Sequence, residues 1–135
     1  TDPPTADETE TCSTHLHEVI ASVAGGLSPV ATLIGVAGTI TTVAAHALNL
    51  PVYDRTTIHG ARLTIDDVQS ACASLVAMTV EQRRALPFMH PGRADVIGGG
   101  ALILDAVLTS LPLATHELVV SEHDILDGIA LRLAR

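Results

Sequence analysis

The sequence has no tryptophan and no lysine, and only one phenylalanine, one tyrosine and two cysteines in 135 residues. With so few large aromatics, the core has to be aliphatic and alanine-rich, which suits helices packed closely on a small sheet. Cys12 and Cys72 are too few for a disulfide framework, and nothing near them is spaced like a metal site. No stretch reaches the roughly 18 apolar residues of a membrane-spanning helix. The opening TDPPTADETET has neither the basic nor the apolar region of a secretory signal. A reduced, cytoplasmic setting with no membrane partner is expected. The net charge of −8 excludes the basic face of a general nucleic-acid binder. Every cation is an arginine, which reflects either compositional bias or a group among Arg55, Arg62, Arg83, Arg84 and Arg93 that faces phosphate.

What is present is mostly helical punctuation. Thr5 and Glu8 form a capping box before a helix carrying Leu16, Val19, Ile20 and Val23, which stops at Gly25-Gly26. Residues 31–36 predict a buried strand, and 39–48 a helix ended by Asn49 and Pro51. Residues 52–63 are ambiguous, with one short strand expected around Ile58. Thr64 with Asp67, and Thr79 with Gln82, predict two further helix starts. A long helix is expected from about Gly92 to Ser110, with Pro91 in its first turn and His90 as N-cap. Its polar residues Asp95, Asp105 and Thr109 fall on one narrow stripe, so it is buried between other elements. Residues 118–120 predict a second strand, followed by a helix capped by Ser121 with Asp124. The length permits one domain with a modest core. Strands separated by helices suit a parallel sheet. Two or three strands cannot cover so many apolar helix faces, so the chain either pairs with itself or lacks a part.

Two segments carry the chemistry. In Gly35-Val-Ala37-Gly38-Thr39 a strand runs through a glycine turn into a helix N-terminus. Free amides and the positive end of the helix dipole make such a turn an anion site. Read plainly, it is a tight turn that binds nothing. Gly38 is the residue expected to take φ > 0, and the Thr39 hydroxyl is a further candidate donor. In His90-Pro-Gly-Arg93-Ala-Asp95, Arg93 either reaches substrate or pairs with Asp95. Gly98-Gly99-Gly100 within a helix costs about 1 kcal/mol per residue relative to Ala, which close approach of a neighbouring helix backbone would offset. The seven histidines lack ligand spacing, and no metal site is expected on this chain.

LIGVAGTITTVAA at 33–45, HPGRADVIGGGALILDAVL at 90–108 and the closing VSEHDILDGIAL resemble the Ppx/GppA family of exopolyphosphatases and guanosine pentaphosphate phosphatases. The resemblance implies an α/β fold: a partial RNase H-like second domain of the actin-like ATPase superfold, with a small parallel sheet and several packed helices. Residues 1–135 would be the C-terminal part of that second domain. The parent would release terminal phosphate from inorganic polyphosphate, or act on guanosine pentaphosphate, with Mg2+ offsetting charge. Gly35, Ala37, Gly38, Thr39 and Arg93 are the expected phosphate-binding residues, and the glycine triplet would pack at the interdomain hinge.

The family's first phosphate loop, its water-activating glutamate and its DIGGGS-like loop do not occur here. No catalytic residue is therefore expected on this chain, and the isolated piece is expected to be inactive. The tail departs from the family's GLREG pattern, with Leu126 where an Arg is usual, so any anion contact by that Arg is in doubt. The expected partners are the N-terminal domain of the same enzyme and further copies in a homo-oligomer. The rival reading is a non-catalytic actin-like module that binds a nucleotide or a partner helix.

Overall fold

Three of the helix starts follow from side chains that satisfy amides left open at a helix N-terminus. The computed structural model describes residues 1–134. Thr5 and Glu8 form their capping box at the head of α1 (Ala6–Ala24). Thr64 accepts from the Asp67 amide to open α4 (Ile65–Ala77), and Thr79 with Gln82 boxes α5 (Val80–Arg84). Between them lie β1 (Leu33–Val36), α2 (Ala37–Ala47), α3 (Arg55–Ile58) and β2 (Arg62–Thr64). The chain closes with a 3-10 turn at Pro91–Arg93, then α6 (Ile97–Ser110), β3 (Glu117–Ser121) and α7 (Ile125–Leu133).

The sheet has the order β1-β3-β2. Parallel pairing sets Leu33 beside Leu118 and Gly35 beside Val120, as strands joined by helical crossovers require. β2 runs antiparallel to β3, with Leu63 beside Leu118, so the sheet is mixed rather than parallel throughout. The segment around Ile58 is a helical turn, and β2 begins only at Arg62. Ile58 is fully buried all the same.

One face of the sheet presents Leu33, Gly35, Leu63, Leu118 and Val120 to the core. There they meet Val43 and Ala44 of α2 and Val68, Cys72 and Leu75 of α4. Burial pushes the Cys72 thiol up to about 12, so it acts as a small hydrophobe. The other face carries Ile34, Val36, Val119 and the exposed Arg62–Glu117 pair at 2.8 Å. Helix α6 packs between α4, α2 and α1. Asp105 and Thr109 of its polar stripe are satisfied from α4, where Gln69 donates to them at 2.9 and 3.2 Å, while Asp95 lies before the helix and is exposed.

Two boundaries differ from expectation. The helix expected from Gly92 is interrupted: Val96 is the N-cap of α6, and the glycine triplet lies in its first turn. The cap of α7 is Asp124, whose carboxylate accepts from the Leu126 amide in a box with Asp127. Ser121 folds back on His123 instead. Among the described residues, no helix is long and apolar enough to cross a membrane.

Candidate functional site

β1 ends at Val36 and α2 begins at the next residue, so the chain turns within a single peptide. Ala37 makes that turn at φ 70°, in a region that costs an L-residue roughly 1–2 kcal/mol. The left-handed residue is thus Ala37, not Gly38. Gly38 is small for another reason: a Cβ there would stand 2.2 Å from Arg93 Nη1. Arg93 Nη1 donates to the Gly38 carbonyl at 2.8 Å and to Thr42 Oγ1 at 3.3 Å. Its contacts are therefore with the turn and not with Asp95.

Gly35 faces the core, where a Cβ would lie 2.6 Å from Ile40 and 3.1 Å from Leu118. Thr39 turns its side chain to α6, with Oγ1 2.7 Å from the place a Gly100 Cβ would occupy. The structure therefore brings Ala37, Gly38, Thr39 and Arg93 together at one end of β1, while the missing Gly35 side chain serves packing. Neither Val36 before α2 nor Val96 before α6 supplies a side-chain cap. Two helix N-termini thus open without side-chain caps and meet through Thr39 and Gly100. Their dipoles and amides add to the Arg93 charge in favouring an anion there.

A cleft of about 530 Å3 adjoins this turn, lined by Thr42, Tyr53, Arg55, His90, Arg93 and Glu122 among others. The Glu122 side chain is 11% exposed and accepts from the Tyr53 hydroxyl on Oε1 and from Arg55 Nε at 3.0 Å on Oε2. Burial, followed by the bond to Glu122, raises the Tyr53 phenol above its ordinary pKa. Sequence reasoning named Arg55 among the candidate phosphate-facing arginines and missed Tyr53 and Glu122. Tyr53 and Glu122 are 69 residues apart, and only the pairing of β3 beside the α3 loop brings them together.

The other candidate arginines, Arg62, Arg83 and Arg84, lie elsewhere. Arg83 is 4% exposed and closes the C-terminus of α4, donating to the Leu75 carbonyl at 2.7 Å and the Val76 carbonyl at 3.3 Å. Arg62 pairs with Glu117, and Arg84 is exposed. Among the described residues, no group of three or more His, Cys, Asp or Glu is placed to hold a metal ion. Leu126, where the resemblance implied an Arg, is 70% exposed.

The Ppx/GppA phosphatase family model matches residues 2–134. Exopolyphosphatase 2 of Mycobacterium tuberculosis is 44% identical over 137 residues, covering 98% of this chain and 43% of that protein. The bifunctional 3-dehydroquinate synthase/phosphatase of Fusobacterium nucleatum is 34% identical over 99 residues, 73% of this chain and 14% of that one. Among solved structures, an exopolyphosphatase-like protein superposes with a TM-score of 0.88 at 36% identity, over 100% of this chain and 45% of its own. The type II variant of the Aquifex aeolicus Ppx/GppA phosphatase gives 0.85 at 28% identity, over 98% and 43%. The chain thus spans less than half the length of these proteins.

Proposed function

The chain belongs to the Ppx/GppA phosphatase family, and from that premise we propose that it is the C-terminal portion of an exopolyphosphatase-like hydrolase. The reaction would be attack of water on a terminal phosphorus, breaking one P–O–P bridge and releasing inorganic phosphate. This portion contributes one wall of the phosphate site: the α2 amides at Ala37, Gly38 and Thr39, and Arg93. The observation that carries the reading is the Arg93–Gly38 contact at 2.8 Å, which fixes a guanidinium beside two helix N-termini that lack side-chain caps. Preorganised donors of this kind stabilise charge that develops during phosphoryl transfer.

The attacking water has to be activated from outside these residues. Both Glu122 oxygens are engaged, and the other glutamates lie on α1, on α5 or at the open face of the sheet. A divalent cation is proposed for the parent enzyme by family. The residues described here form no cluster that fits one, so no step is assigned to it on this chain. Guanosine pentaphosphate presents the same oligophosphate group and is the alternative substrate. A non-catalytic module that binds a nucleotide or a partner helix is the reading outside the enzyme class.

The test is made in the full-length enzyme. Gly38→Ala is the smallest change that displaces the Arg93 guanidinium from the turn. It is expected to lower kcat/KM tenfold or more, about 1.4 kcal/mol of barrier, with Tm nearly unchanged. Thr39→Val should cost less, because that side chain packs on Gly100. Wild-type rates in both variants would reduce the site to a tight turn.

A further inference from the structure

We infer that the cleft beside the turn is a second oligophosphate subsite, with Arg55 as its ligand-binding cation and Glu122 and Tyr53 as positioning residues. The inference rests on the substrate class proposed above. Arg55 is bound through Nε to Glu122 Oε2 at 3.0 Å, and among the described residues its two terminal nitrogens make no hydrogen bond. Arg93 is likewise hydrogen-bonded through Nη1, and among the described residues its Nη2 and Nε make no hydrogen bond. Each guanidinium is thus held by part of its fork and offers the rest to the same cleft, the arrangement a phosphate takes up bidentately.

Glu122 suits a tether better than a base. One oxygen receives the Tyr53 hydroxyl and the other Arg55 Nε, and its backbone amide donates to His59 Nδ1 at 3.2 Å. His90 lines the cleft as well. Its Nδ1 accepts from the Gly92 amide at 3.2 Å, which leaves the ring proton on Nε2 as a donor. Of the nearby acids, Asp54 accepts from the Thr56 and Thr57 hydroxyls, and Asp127 accepts from the Asp124 amide in the α7 capping box beside His123. Asp54 and Asp127 stand outside the lining and keep their own hydrogen bonds, while among the residues that line the cleft two arginines face one carboxylate. Val52, Phe88 and Met89 form the wall behind it.

The experiment is calorimetric titration of the full-length phosphatase with tripolyphosphate and, separately, with guanosine triphosphate. Arg55→Gln is expected to weaken tripolyphosphate tenfold or more, with Arg55→Lys between it and wild type. Tyr53→Phe keeps every cleft charge and is expected to cost a few-fold. Arg55 is exposed, so both Arg55 variants should melt with wild type. Loss for both ligands places any oligophosphate in the cleft; loss for the nucleotide alone places only guanosine-linked phosphates there. Gly38→Ala in the same assay separates the two readings: a loss there with none in Arg55→Gln overturns the cleft and spares the turn. Unchanged affinity of Arg55→Gln for both ligands overturns the inference.

Discussion

Three adjacent glycines open α6, and each meets different surroundings. A Cβ on Gly98 would stand 2.6 Å from Arg83 Nη2 and 2.8 Å from its Cζ. That guanidinium cannot swing away, because it is buried and bound to the carbonyls that end α4. A Cβ on Gly100 would meet Thr39 at 2.7 Å, whereas one on Gly99 would meet nothing within 4 Å. Gly98→Ala is therefore expected to destabilise by about 1–3 kcal/mol, through overpacking and a disturbed buried charge. Gly99→Ala should stabilise by about 0.5–1 kcal/mol, the ordinary helix preference for alanine. Urea titration of both variants checks the opposite signs; equal effects would mean the triplet acts only through helix propensity. Close approach at the triplet was legible from its cost. What approaches was not: it is a pair of side chains, one from α5 and one from α2, and not a neighbouring helix backbone.

Elements were legible where one local hydrogen bond defines them. The boxes at Thr5 and Thr79 and the cap at Thr64 lie within three residues of their partners, so spacing alone finds them. β2 is three residues long and exists through pairing with β3, more than fifty residues away; no local pattern encodes that. The break before α6 has the same origin, since Arg93 is tied to Gly38 across 55 residues. Local caps also make the elements acid-sensitive. Thr1 and Thr5 hold the Glu8 carboxyl at about 2 against an ordinary 4.5, and the Thr56 and Thr57 hydroxyls hold Asp54 at about 2 against 3.8. Folding lowers both values, so these caps contribute fully above pH 4.5 and are lost as pH falls through about 2. Carboxyl carbon shifts followed by NMR should put both midpoints near 2, with helix signal at α1 and α3 fading in parallel. Midpoints at the ordinary values would mean that the caps do not persist in solution.

At the scale of the whole molecule, apolar surface is distributed unevenly. Leu33, Leu118 and Val120 are covered, while Ile34 and Val36 on the opposite sheet face are 60% and 45% exposed. β1 is an edge strand, and the nearby groove of about 250 Å3 is lined by Ile40, Ile103, Leu104 and Val107. α7 exposes Ile125, Leu126, Ile129, Leu131 and Leu133. Open edges and contiguous apolar faces of this kind are templates for association. Relatives more than twice as long have chain enough to cover such a surface, and in the reading proposed here they also carry the water-activating glutamate. The 135-residue chain on its own is therefore expected to self-associate at concentrations on the order of tens of micromolar and to release no phosphate from polyphosphate above the buffer blank. Replacing Ile34 and Val36 together by lysine places charges on the open face without touching the core, and should shift sedimentation toward monomer at an unchanged helix content. Turnover by the isolated wild-type chain would overturn its reading as a portion lacking the catalytic base. A clean monomer would overturn the expectation that the open face drives association, and the double lysine variant would then sediment like wild type.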